Sequence, residues 1–439
     1  MLSWVSQSMC RGLAAGLAVV AALAPANLLA VEPVGQATRA SITQKGSLLM
    51  FPHVEIKWGA NGQLRQDTVL ELSNDYPDDI QVQFYFVNGD EPLEAVYAAD
   101  GTTLIERAHP GWNWVDNQLP LTANEPTYFS LATGLPKGTS SLSILDPGHP
   151  VGRPDPDPDN PGGRVVRGYV VGWAVDRAGH EVRWNHLTGT SLIVDYALTA
   201  SWAYEAWAFQ AQGVDHGDEP VSCLVYNLDN GQCVDSQTAP GRIDMDGYEY
   251  DACPGRLQFQ FRTAGTPLRN PNPGMPAVQV DSRLTLGLCG SDLRQETNGP
   301  TTTKAKFDIW NENEVRFSGT ERCITCWDQS SLATYTAFGL PNHFLGANLH
   351  TDTGRARVNG VASVLCDKNG IRSVDAAVLG IMHKVLRFPT PGTEGFEEGL
   401  EGFRIEKSGV ALGGQGDEVA QILYDLVLPP QEAHDGNGQ

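Results

Sequence analysis

The chain has 439 residues, 41% of them hydrophobic, which is ample for packed cores and excludes wholesale disorder. Its 52 acidic residues outnumber 30 basic ones, for a formal net charge of -22. That balance argues against nucleic acid and anionic membrane surfaces as partners, since both call for a basic footprint.

Residues 1–30 have the layout of a secretory signal peptide. Arg11 supplies the only charge, Leu13 to Ala24 form an apolar core too short to span a bilayer, and Pro25 to Ala30 offer a small-residue exit. Cleavage after Ala26 or Ala30 would release an exported chain, and Cys10 would leave with the signal. No later stretch reaches the roughly 18 apolar residues that a membrane helix needs. Residues 31–44 are polar and patternless and read as a tether.

From Gly46 the pattern is one of strands. Thr68-Val69-Leu70-Glu71-Leu72, closed by Asn74-Asp75-Tyr76-Pro77, precedes a stretch in which Ile80, Val82, Phe84 and Phe86 alternate with Gln81, Gln83 and Tyr85. Period-two alternation is the mark of a half-buried strand, and the two segments are expected to form an antiparallel hairpin. Trp112 and Trp114, two apart, would share one face of a strand. Exposed, they could make a stacking platform for a sugar ring; buried, they are ordinary core. Asp155, Asp157 and Asp159 offer alternating carboxylates of the kind calcium takes. The interleaved prolines stiffen that stretch, so an extended, solvated acidic loop is the preferred reading.

The chain then carries a pattern that recurs. Gly163-Arg164-Val165-Val166-Arg167-Gly168 leads to Asp176-Arg177-Ala178-Gly179 and Gly189, while Gly354-Arg355-Ala356-Arg357-Val358-Asn359-Gly360 leads to Asp367-Lys368-Asn369-Gly370 and Gly380. Lys306-Phe307-Asp308-Ile309-Trp310-Asn311 likewise echoes Val69 to Asn74. Two echoes in the same order suggest duplicated architecture, although the few residues suited to tight turns also make strand-turn-strand sequences look alike. Each Asp-x-x-Gly segment is expected to be a hairpin turn. Trp184-Asn185-His186 falls in a strand and favours a structural histidine. Tyr196 to Ala211 is the only helix candidate, and its Trp202/Tyr204 and Trp207/Phe209 pairs suit a strand nearly as well. Asp244-x-Asp246-Gly247 with Glu249 and Asp251 lacks full calcium-loop spacing.

Seven cysteines follow the signal segment: 223, 233, 253, 289, 323, 326 and 366. Disulfides are the expected state of an exported chain, and the odd count leaves one thiol over. The turn-rich loop between Cys223 and Cys233 suggests that they pair. Cys323-x-x-Cys326 lacks the βαβ context of a redox site, the further ligands of a zinc site and the histidine of a haem attachment site. Cys366 is therefore expected to pair with Cys323 or Cys326.

These signals predict an all-β fold of tandem antiparallel β-sandwich-like domains with at most one or two short helices. The expected domains are 41–265 and a related 280–431, joined by a proline-rich linker at 266–279 and followed by a disordered tail at 432–439. Lys45-Gly46-Ser47-Leu48-Leu49 with Phe51-Pro52, His109-Pro110-Gly111-Trp112-Asn113-Trp114 and Gly319-Thr320-Glu321-Arg322-Cys323-Ile324-Thr325-Cys326-Trp327 together resemble a set of exported bacterial proteins of unassigned function. The resemblance covers most of the exported chain. It implies a periplasmic, cell-surface or extracellular location and carries no activity and no functional residues.

Neither a Gly-x-Ser-x-Gly elbow nor a His-Glu-x-x-His motif is present. Trp310-Asn311-Glu312 superficially matches the acid of some glycosidases but lacks their α/β alternation. The expectation is an exported, non-catalytic envelope or cell-surface protein with a structural, adhesive or ligand-binding role, without a cofactor, whose partner is carbohydrate or another envelope protein. The alternative is a secreted polysaccharide-acting hydrolase whose carboxylates converge only in the fold.

Overall fold

Apolar side chains at every second position give strands throughout the chain. The computed structural model describes residues 44–179, 181–197, 200–211, 226–227, 232–233, 245, 250–268, 277–289, 300–335, 339–367, 371–387 and 404–409. In chain order, the first part holds β1 (Leu48–Trp58), β2 (Leu64–Asn74), β3 (Ile80–Asn88), β4 (Val96–Tyr97), β5 (Leu104–Glu106), β6 (Trp114–Leu121), β7 (Pro126–Ser130), β8 (Arg153–Pro154), β9 (Arg164–Val175), β10 (Leu187–Asp195), β11 (Ala200–Glu205) and β12 (Trp207–Phe209). Ten of these form one sheet of order β11-β10-β2-β1-β9-β3-β6, with β12 on β1, β7 on β2 and β8 on β9; β4 and β5 make a separate ribbon.

β1 and β2 pair only beside their turn, at Lys57↔Gln66 and Trp58↔Leu64. Beyond it they diverge, so the sheet doubles back on itself. Leu49, Phe51, Phe84 and Phe86 on one layer meet Leu70, Leu72, Phe129 and Ile193 on the other in a single apolar cluster. A Cβ on Gly189 of β10 would lie 2.6 Å from Phe51, which shows how closely the layers approach.

The other face of β1, β9 and β3 is covered as well. Leu48, Met50, Tyr85, Val171 and Trp173 join a second cluster containing Leu284, Leu286, Phe259 and Phe307. Covered on both sides, β1 is buried from Leu48 to Lys57, polar positions included.

The remaining strands are β13 (Tyr226–Asn227), β14 (Gln232–Cys233), β15 (Leu257–Arg262), β16 (Gln279–Cys289), β17 (Thr302–Asn311), β18 (Arg316–Thr325), β19 (Trp327–Ser331), β20 (Thr353–Val361), β21 (Ala377–Arg387) and β22 (Arg404–Gly409). They form a β13-β14 ribbon and two four-stranded sheets, β15-β20-β17-β18 and β19-β16-β21-β22. The one α-helix among the described residues, α1 (Gly346–Leu349), is a single turn. The fold is all-β, and every ladder between these strands is antiparallel. No helix among the described residues is long and apolar enough to cross a membrane.

Several local expectations change. β2 and β3 are not a hairpin: β2 pairs with β1, β7 and β10, whereas β3 pairs with β6 and β9. The link between them crosses from one layer to the other, held where Trp184 Nε1 donates to Asn74 Oδ1 and packs edge-on against Tyr76. Asp176 does open a tight turn, its carboxylate accepting from Ala178 N–H and Gly179 taking φ 88. Across the turn Val175 and Glu181 form an antiparallel bridge and Val182 N–H donates to Ala174 O, although the strands on either side, β9 and β10, are not ladder neighbours. Residues 368–370 of the second Asp-x-x-Gly segment lie outside the described residues. The helix candidate is two strands, β11 and β12. β15 precedes the proline-rich segment, most of which is outside the described residues, yet it pairs with β20 after it.

The two Gly-Arg starts answer different local needs. A Cβ on Gly163 would lie 2.1 Å from the Asn160 amide, and one on Gly354 would lie 2.7 Å from Phe261 and Leu349.

Candidate functional site

The residues singled out by sequence do not come together. Trp112 lies ahead of β6 in the left-handed region, φ 51, so it shares no strand face with Trp114. It is partly buried against the core. Trp114 opens β6, is 37% exposed and stacks on Tyr85 with ring centroids 4.6 Å apart.

The acidic stretch is not a solvated, extended loop. Pro154, Pro156 and Pro158 face out while Asp155, Asp157 and Asp159 are half-buried. Successive carboxylates accept from the backbone, Asp155 from Asp157 N–H and Asp157 from Asp159 N–H. Asn160 Nδ2 donates to Asp155 Oδ2 and to Trp58 O, which closes the loop onto β1. Lys57 Nζ stands 2.9 Å from Asp157 and 4.0 Å from Asp155, so an ammonium occupies the place proposed for calcium. No group of three or more metal-binding side chains occurs among the described residues. Asp244, Asp246 and Glu249 lie outside them.

Cys366 bonds to Cys323, and Cys253 bonds to Cys289, a pair the sequence did not suggest. Cys323 is on the outer side of β18, whereas Cys326 is buried at the β18–β19 bend with φ 64. The Cys223–Cys233 pairing lies outside the described residues; the β13-β14 ribbon around it is antiparallel. His186 is held by Asp75 beside Tyr76.

A buried charged row on β1 gave no sequence signal. Glu55 receives Gln66 Nε2 at 2.8 Å and lies 3.2 Å from Lys57. Burial alone would raise the Glu55 pKa, but Lys57 and its neighbours hold it down at about 2. Burial would lower Lys57, yet Glu55, Asp157 and Asp155 push it up to about 12. His53 packs among Trp202, Trp327 and His383, and burial lowers it to about 4. Arg167 reaches from β9 to Asp90 through both Nε and Nη2, and to Gln329 Oε1 at 2.9 Å. Trp327 Nε1 donates to Pro52 O at 2.7 Å. These groups pair with one another inside the protein, and their arrangement is structural.

The candidate site is instead a cleft of about 510 Å³ where β15 and β20 meet β16 and β21. Its floor is apolar, with Phe261, Leu268, Val280 and Leu386, and its cations are Arg262, Arg355 and Lys384. Burial and the nearby Arg262 lower Lys384 to about 7, so the cleft already resists one of its own charges. Glu312, the one carboxylate among its described lining residues, accepts from Thr353 N–H and Oγ1. Arg262 donates to Thr266 O and Pro267 O and lies 3.4 Å from Asp352. Arg355 is exposed and has no carboxylate partner among the described residues; its guanidinium lies 5.1 Å from the Trp310 ring centroid. The Arg355-x-Arg357 alternation around buried Ala356 was the available sequence signal for it.

A second cleft, of about 440 Å³, lies on the first sheet, lined by Glu71, Tyr128, Thr188 and Thr190 among others. Among the described residues, the lining of each of the two clefts holds a single carboxylate, Glu312 in the first and Glu71 in the second. Compared with known protein families and with curated proteins, the chain finds no match.

Proposed function

We propose that the chain acts outside the cytoplasm as a non-catalytic ligand-binding protein of the cell envelope or surface, and that the cationic cleft takes a carboxylate-bearing ligand with an apolar face, such as an acidic sugar. The observation that carries the reading is Arg355: an exposed guanidinium, steadied on Trp310 and free of a carboxylate partner among the described residues, at the lip of an apolar-floored cleft with two further cations. Guanidinium groups suit bidentate recognition of carboxylates, and the apolar floor suits the C–H face of a sugar ring. Two disulfides and the signal-like first thirty residues favour an oxidising compartment.

Calorimetric titration with galacturonate and with galactose tests it. Binding of the acid alone, weakened by about tenfold in Arg355→Ala, is the expected outcome. Equal binding of the neutral sugar would reject the cleft as an anion site. Release of reducing ends from a polysaccharide panel would favour the hydrolase alternative.

A further inference from the structure

The sheet β15-β20-β17-β18 buries one face, through Phe259, Phe261, Ala356, Val358, Phe307 and Ile309. Side chains alternate across a strand, so the opposite face carries Arg262, Arg355, Arg357, Lys304, Lys306 and Arg316. Against these six cations stand Asp308, 2.7 Å from Arg316, Glu321, 3.0 Å from Lys304, and Asp352, 3.4 Å from Arg262. A cationic face is the reverse of what a chain of net charge -22 would give by composition alone. Ladder register assembles it: Arg355 lies opposite both Gln260 and Trp310, Arg357 opposite Asp308, and Arg316 opposite Trp310. The guanidinium groups of Arg355, Arg357 and Arg316 stand 5.1, 5.4 and 5.8 Å from the Trp310 ring centroid. Stacking of this kind orients a guanidinium; of the three, Arg355 has no carboxylate partner among the described residues, while Arg316 Nη2 donates to Asp308 Oδ1. Arg355 also lines the cleft, so cleft and face are one continuous surface.

We propose that this surface binds an acidic polysaccharide, with one acidic residue seated in the cleft and the following carboxylates running over Arg355, Arg357 and Arg316. The proposal rests on the reading of the cleft as an anion site and adds the length and direction of the ligand. Four strands at about 4.8 Å spacing make the strip about 14 Å wide, more than a single sugar occupies. Gln260, Asn359 and Ser318 stand among the cations on the same face and match sugar hydroxyls. A single-stranded nucleic acid calls for open aromatic rings on which bases stack; the strip's aromatic, Trp310, is flanked by guanidinium groups.

The test is titration of the protein with galacturonate, its dimer, tetramer and octamer, the methyl-esterified octamer and an octamer of thymidylate. Affinity is expected to rise at least about tenfold from monomer to octamer and to be lost on esterification. The double variant Lys306→Ala/Arg316→Ala, both sites exposed, should weaken the octamer by about tenfold and leave the monomer within about twofold. Circular dichroism and melting confirm that the variant is folded, and Lys306→Glu in the otherwise unaltered chain serves as a second probe of the strip. Monomer binding with no gain in length, an octamer indifferent to both strip variants, or thymidylate bound as tightly as the uronate octamer overturns the strip and leaves the cleft reading standing. Failure of every uronate to bind removes both.

Discussion

Lys57 Nζ lies 2.9 Å from Asp157 Oδ2, joining the turn end of β1, a strand buried from Leu48 to Lys57, to a loop that reads as surface by composition. The ammonium also faces Glu55 and Asp155, so removing it would leave three carboxylates with reduced compensation. Breaking a buried pair by deleting one partner costs about 3–5 kcal/mol. Lys57→Met is therefore expected to lower unfolding stability by that order, measured by urea denaturation. A loss under about 1 kcal/mol would mean that the loop behaves as an ordinary exposed ion pair.

Stability should also fall in mild acid through His53. Burial depresses its pKa in the folded chain from 6.5 to about 4, so the fold favours the neutral ring. The contribution is complete above pH 6.5 and is lost as pH falls towards 4, by about 3 kcal/mol at the acid end. Glu55, depressed from 4.5 to about 2, acts in a separate window below 4.5. Chemical denaturation at a series of pH values checks this, with His53→Gln expected to flatten the dependence between pH 6.5 and 4. An unchanged slope in that variant would place the acid sensitivity elsewhere.

The bond between Cys323 and Cys366 ties β18 to the segment after β20 across a sequence separation of 43. A closure of that length is worth about 4 kcal/mol in the chain-entropy account. Cys323→Ser/Cys366→Ser should show a loss approaching that value in equilibrium unfolding, and non-reducing peptide mapping should recover the Cys323–Cys366 and Cys253–Cys289 peptides. Recovery of a Cys326–Cys366 peptide from the native protein would contradict the assignment.

The strands were legible because period-two alternation is local: Ile80 to Phe86 and Leu257 to Arg262 declare their buried faces within a few residues. Pairing was not, since β2 and β3 are near in sequence but sit in different layers, and that choice depends on Trp184 and Asn74, 110 residues apart. The acidic loop was misread because composition cannot show that a lysine on β1 waits beneath it. The cationic strip was illegible for the same reason. Its cations lie on four strands between Arg262 and Arg357, and only register sets Arg355 and Arg316 on either side of Trp310.

A carboxylate seated in the cleft beside Arg355 would also face Lys384, whose pKa burial and Arg262 hold at about 7. A bound carboxylate would favour the ammonium, so the complex should take up a proton near pH 8, where the free lysine is mostly neutral. Affinity should then be greatest below pH 7 and decline as pH rises through the higher pKa of the complex. The most direct measurement is calorimetry of galacturonate binding at pH 8 in buffers of different ionisation enthalpy. Proton uptake that disappears in Lys384→Met, together with weaker binding, is the predicted result; binding with no buffer dependence, or none that Lys384→Met alters, would contradict the account.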